Sequence, residues 1–158
     1  MRRVLVVAVA VTLTGCTVGR PSGFTARSDD TCRDATKVIE ALHAPRDAVT
    51  ALGYALDRYT AVERAVSTLT DSSLPAGQRG RELRERWLRP ARASLEAAGD
   101  ELLRLRDAVR RHDDGAVAQA FADASEAGTH GVDTTLLRAR GLTDCATLFS
   151  PHHVAPGV

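Results

Sequence analysis

Aromatic side chains make up only 4% of this 158-residue chain, and lysine (Lys37) and isoleucine (Ile39) occur once each while asparagine does not occur. A core with so few rings has to be assembled from Ala, Leu and Val. Ala and Leu favour helices, whereas β-branched and aromatic residues favour strands, so the composition points to an all-α chain. Charge of one sign is missing as well. The 21 basic and 20 acidic side chains leave a formal charge of +1, without the basic excess that a phosphate backbone selects, so no nucleic-acid partner is expected. No stretch alternates polar and apolar residues as a half-buried strand does. Helix-borne metal-ligand spacings are absent too: His43, His112 and His130 stand alone, and His152 and His153 adjoin in a Pro- and Gly-containing tail. No nucleophile elbow, phosphate loop or paired-carboxylate motif is present, so neither metal, cofactor nor enzymatic activity is expected.

What is present begins at the first residues. Met1, Arg2 and Arg3 form a positive start, Val4 to Leu13 an apolar run, and Leu13-Thr14-Gly15-Cys16 its end. The run is about half the roughly 20 residues that span a bilayer, and its order is that of a secretory signal peptide. The Leu13–Cys16 segment resembles the lipobox of bacterial lipoproteins. That resemblance implies cleavage after Gly15, diacylglycerol on the Cys16 thiol, and anchoring of the chain to membrane lipid on the extracytoplasmic face. With Arg2 and Arg3 removed, 19 basic residues would face 20 acidic ones. In composition and architecture the remainder resembles small helical lipoproteins of actinobacteria. The expected organisation is a cleaved signal peptide over 1–15, a lipidated N-terminus and flexible tether over 16–30, a helical bundle over 31–149 and a disordered tail over 150–158.

Once Cys16 is assigned to lipid, Cys32 and Cys145 remain as an even pair in an oxidising compartment, and a disulfide between them is expected. The pair also constrains the helix count. Thr31, with Asp34 three residues on, is the expected N-cap of the first helix. Val38, Leu42, Val49, Leu52, Leu56, Tyr59, Val62, Val66 and Leu69 recur at helical steps, interrupted at Pro45. After a loop over 70–80, Leu83, Trp87, Leu88, Leu95, Leu102, Leu105 and Val109 mark a second long helix with a kink at Pro90. In "HDDG", Asp113 or Asp114 can cap a last helix over Val117 to Leu137, ending where Gly141 takes a left-handed conformation and Leu142 folds back. Three antiparallel helices would hold the cysteines tens of Å apart, whereas a break at Pro45 makes four and brings them to one end. The expected fold is an up-and-down four-helix bundle with a short first helix.

Two segments carry functional candidates. Arg79, Arg81, Arg86 and Arg89 around Trp87 read either as an anion or partner patch with Trp87 as interface anchor, or as a solvated face with Trp87 in the core. "EAGTHGVDTT" (Glu126 to Thr135), with two glycines and His130, reads either as a groove or as a place where helices pack closely. The expected function is a non-enzymatic, membrane-anchored interaction module with an envelope protein as partner. The alternative is a carrier or sensor for a small ligand or lipid held between helices.

Overall fold

In the computed structural model, which describes residues 23–150, every regular element is helical and no strand occurs among the described residues. Helix α1 covers Gly23–Glu40, α2 Ala48–Asp71, α3 Gln78–Leu83, α4 Arg89–Arg111, α5 Asp114–Ala127, α6 Thr134–Ala139 and α7 Thr143–Leu148. The chain is all-α. The expected leader, Gly15, Cys16 and most of the tail lie outside the described residues.

The first helix corrects the expected tether. It starts eight residues before Thr31, and Phe24, Thr25, Ser28, Cys32 and Ala35 are its buried side chains. From Thr25 those positions step by three and four residues, with Phe24 adjoining, so the segment from Gly23 to Asp30 belongs to an amphipathic helix rather than a linker. Its inward face is made largely of small polar residues, which hid the pattern. Thr31 is not an N-cap; its hydroxyl bonds back to the Arg27 carbonyl at 3.0 Å, one turn earlier.

Pro45 separates α1 from α2, as its missing N–H demands. Asp47 then caps α2: its carboxylate accepts from the Thr50 N–H at 2.8 Å, and the Thr50 hydroxyl accepts from the Asp47 N–H at 3.0 Å. The expected stripe holds in the second half of α2, where Val62, Val66 and Leu69 are buried, and fails in the first. Ala51, Ala55, Arg58, Val62, Ala65 and Leu69 point inward, whereas Val49 (70% exposed) and Leu56 (45%) face out, as does Val38 of α1 (52%). Small alanines let α2 lie close to its neighbours, and close approach decided the rotation.

Helices α3 and α4 are two ends of one rod, joined by a π turn over Arg84–Leu88 in which the Arg89 N–H reaches the Arg84 carbonyl. Pro90 accounts for the turn. In a regular helix its nitrogen would donate to the Arg86 carbonyl four residues back. That carbonyl instead accepts from the Asp133 N–H at 3.3 Å. Asp133 also pairs its carboxylate with Arg86 and accepts from the Leu136 N–H at 2.8 Å, capping α6.

His112 ends α4 in the left-handed region (φ 56°), with its own N–H on the Val109 carbonyl and the Asp113 N–H on the Ala108 carbonyl. Asp113 then caps α5 through the Ala116 N–H at 3.0 Å, as expected from "HDDG". The single last helix is corrected. It stops at Ala127, and Gly131 (φ 77°) lies in the irregular stretch before α6. Gly141 (φ 76°) does form the expected reversal, with Leu142 N–H on the Leu137 carbonyl at 2.9 Å. Four long helical stretches are therefore followed by two helices of six residues.

The core has two apolar clusters. One joins Val62, Val66 and Leu69 of α2 to Trp87, Ala91 and Leu95 of the rod and to Leu142, Leu148 and Phe149. The other joins Ala51 and Ala55 to Leu102, Leu105 and Ala108, and to Val117 and Phe121 of α5. The end of α2 thus meets the start of the rod and vice versa, so these two run antiparallel. Cys32 and Cys145 form the expected disulfide, with Cα atoms 4.9 Å apart, fastening α7 to α1. Asp29 reinforces the joint. Its carboxylate accepts from the Asp144 N–H at 2.7 Å and the Cys145 N–H at 3.2 Å, capping α7 from another helix.

Candidate functional site: a buried arginine between the helices

At the level of Arg58 the facing helices carry only small side chains. Ala98 of α4, Ala124 and Ser125 of α5, and Gly128 just beyond it line a gap together with Arg58. Ala55 and Leu102 bound it on the side of one apolar cluster, Val62, Leu95 and Leu148 on the side of the other. The gap is therefore the seam of the core, partly open to solvent, with a free space of about 30 Å³.

Arg58 is only 9% exposed. It occupies a core-facing step of α2, between Ala55 and Val62, where every neighbouring step is apolar. Among the described residues no carboxylate pairs with it, and no hydrogen bond satisfies it. Burial pushes its guanidinium below the ordinary arginine range, with Tyr54 pulling the other way. The fully buried unpartnered side-chain atoms among the described residues are Arg79 Nε, Trp87 Nε1, Glu101 Oε2 and Arg140 Nε, so the Arg58 guanidinium keeps contact with water while its stem lies in the core. Its polar neighbours are hydroxyls. Tyr54 lies 6.0 Å from Phe121, ring centre to ring centre. The Tyr59 phenol is pushed up by burial and by nearby Glu63 and Glu96, so it stays a protonated donor. Ser125 already gives its hydrogen to the Phe121 carbonyl at 2.9 Å, which leaves its oxygen as an acceptor.

The arginines expected to form an anion patch do not assemble into one. Trp87 is fully buried, with an indole N–H unpartnered among the described residues, so it belongs to the core and is no surface anchor. Arg79 is drawn inward, donating to the Thr25 hydroxyl at 3.2 Å. Arg86 is shared between Glu82 and Asp133, and Arg89 pairs with Glu85 at 2.7 Å. Arg81 is exposed and has no salt bridge among the described residues. Carboxylates neutralise much of the set, the outcome that i,i+4 spacing favours.

"EAGTHGVDTT" serves packing. The Ser94 hydroxyl bonds the Ala127 carbonyl, and Gly128 sits against Ala98, so the end of α5 lies close on α4. His130 is exposed at the rim of an open groove beside Pro90 and Ala97. No group of three His, Cys, Asp or Glu able to hold a metal occurs among the described residues, and none of their helices is long and apolar enough to cross a membrane.

Arg58 did not stand out in the sequence, although its signal is there. Ala51, Ala55, Arg58, Val62, Ala65 and Leu69 step by 4, 3, 4, 3 and 4 residues. A stripe drawn through the large apolar residues alone passes beside it. Compared with known proteins, the chain matches no family model, no curated protein and no solved structure.

Proposed function

We propose that this chain is a lipid-anchored protein of the extracytoplasmic face of the cell membrane whose helical domain binds a small molecule at Arg58 without transforming it. The observation that carries the binding role is a nine-tenths-buried arginine lacking a protein partner among the described residues, set in a gap lined mostly by apolar side chains with the hydroxyls of Tyr54, Tyr59 and Ser125. Apolar pockets with a few convergent polar groups are where small ligands bind. The anchored location rests on the leader and on Leu13–Cys16. The Cys32–Cys145 disulfide fits an oxidising compartment and supports the same location. In this reading acylated Cys16 is the membrane attachment. The fold is an up-and-down bundle of α1, α2, the rod and α5, closed at one end by α6 and α7.

Ligand-observed NMR with a mixed small-molecule library tests the binding role on the full chain. Hits that wild-type protein binds and Arg58→Met does not are the expected result, and a library without such hits overturns it. Cys16→Ala tests the anchor, and should leave an uncleaved precursor or release the protein from membranes. Unchanged processing and membrane retention would refute acylation at that residue.

A second reading, an envelope-protein partner, is favoured by the groove between α1 and α2. There Val38 is 52% exposed beside Leu42 and Ala61. Pulldown from envelope extract should then give a partner lost in Val38→Glu, and recovery equal to empty beads removes this reading.

A further inference from the structure

Resting on the binding role proposed above, we infer that the ligand of the Arg58 gap is a small organic monocarboxylate, its carboxylate on the guanidinium and its short apolar part against the surrounding aliphatic side chains. Charge sets the first condition. One cation lines the gap and no acidic residue does, although Glu63 and Glu96 lie near Tyr59 outside the lining. A single negative charge makes the buried pair neutral, whereas a dianion such as phosphate leaves an uncompensated charge in a medium that solvates it poorly. A neutral ligand would displace water from the Arg58 guanidinium without balancing its charge.

Shape sets the second condition. A guanidinium presents its N–H groups as a planar fork, which a planar carboxylate meets with two parallel hydrogen bonds. Tyr59 adds a protonated hydroxyl in the same lining, a further donor to an anion. Ser125, whose hydrogen is committed to the Phe121 carbonyl, offers only an acceptor and adds nothing for an anion. The polar complement of the gap is thus a small set of donors around one charge.

Size sets the third condition. The gap is partly open to solvent, and the space of about 30 Å³ beside Arg58 takes one or two waters, enough for a carboxylate head-group with the rest of the ligand lying along the apolar lining. Val62, Leu95 and Leu102 surround it, and they suit a few methylene groups. An acid of two to four carbons meets all three conditions.

Isothermal titration of the full chain, with its disulfide formed, separates the alternatives. The probes are sodium butyrate, 1-butanol as the neutral counterpart, sodium phosphate, and sodium chloride at matched ionic strength. Butyrate is expected to bind saturably, at least tenfold more tightly than 1-butanol or phosphate. Arg58→Lys, which keeps the charge and loses the fork, should weaken butyrate about tenfold or more, and Arg58→Met should abolish binding. Circular dichroism confirms that each variant is folded, and Arg58→Lys carries the test if Arg58→Met is not. Tighter binding of 1-butanol or phosphate, lost in the Arg58 variants, overturns the carboxylate and leaves the binding role standing. Butyrate binding of equal strength in wild type and both variants overturns the placement at Arg58. Absence of binding by every probe overturns the carboxylate, and the binding role falls with it only if the library screen also yields no Arg58-dependent hit.

Discussion

Replacing Cys32 and Cys145 together by alanine removes the bond that fastens α7 to α1. The two residues are 113 positions apart, so the disulfide closes a loop that takes in nearly the whole described domain. On the chain-entropy account a loop of that length destabilises the unfolded state by about 5 kcal/mol. Few native contacts change, because alanine keeps the Cβ atoms and both sites are fully buried. Total stability for a domain of this size is about 5–15 kcal/mol, so the double variant should lose a large part of it. With a urea slope of about 1.5 kcal/mol per molar, the unfolding midpoint should fall by about 3 M. The slope itself should rise, since the open chain exposes more surface when it unfolds. Urea melts followed by far-ultraviolet circular dichroism, wild type against double variant, measure both quantities. A midpoint shift below about 0.5 M with an unchanged slope would refute the loop-closure argument. It would mean that the Asp29 cap and the apolar contacts of Leu148 and Phe149 hold α7 in place by themselves.

Other substitutions test single features. Arg58→Met removes a buried charge that lacks a partner among the described residues and keeps similar bulk, so it should raise the thermal midpoint of the ligand-free protein, by about 1–3 kcal/mol of stability; a lowered midpoint refutes the account of Arg58. His112→Gly relieves a left-handed residue at the end of α4 and should stabilise by about 1 kcal/mol in urea melts, with a loss of stability as the contrary result. Asp133 is held below its ordinary value of 3.8 chiefly by the Leu136 N–H, with Arg86 assisting. Its contribution is therefore complete above pH 3.8 and lost as pH falls through the lower folded value. Asp29 runs the opposite way: burial raises it, so its carboxylate favours the unfolded state as pH rises from 3.8 through its higher folded value. Melting midpoints between about pH 2 and 5 should show Asp133→Asn flattening the acid loss and Asp29→Asn flattening the opposing trend, and identical profiles for all three proteins would contradict these assignments.

Local chemistry was legible in the sequence wherever a residue type dictates a backbone. Pro45 had to interrupt a helix, Asp113 followed a chain reversal at a capping position, and Gly141 was the residue able to turn left-handed before Leu142. The cysteine pair carried topology, because two sulfurs must meet. What stayed hidden depended on partners far along the chain. The start of α1 is set by packing of Thr25 and Ser28, side chains that read as linker until something covers them. The face of the first half of α2 was misjudged because alanines, which permit close approach, weigh little in a stripe defined by bulk. Gly128 and Gly131 were visibly poor for a helix, yet only the Arg86 carbonyl left free by Pro90 explains why the chain turns towards Asp133. Arg58 fell between the two kinds of evidence: its spacing was readable, but its isolation was visible only once the neighbouring helices were in place.

The early start of α1 alters how the domain would be held at a membrane. With the lipid on Cys16, six residues (Thr17 to Ser22) separate the anchor from Gly23. Fully stretched they reach about 20 Å, against about 50 Å for the fourteen residues up to Asp30. Were Cys16 lipidated, that reach would be shorter than a small domain is wide and would leave the body little room to swing above the bilayer. Its first turn adjoins Arg79 through Thr25, and Gly141 lies against the same threonine. That end of the bundle would rest nearest the headgroups. Whatever reaches Arg58 would come to a body held close to the lipid surface, at a height and tilt set by α1 rather than by a loose chain.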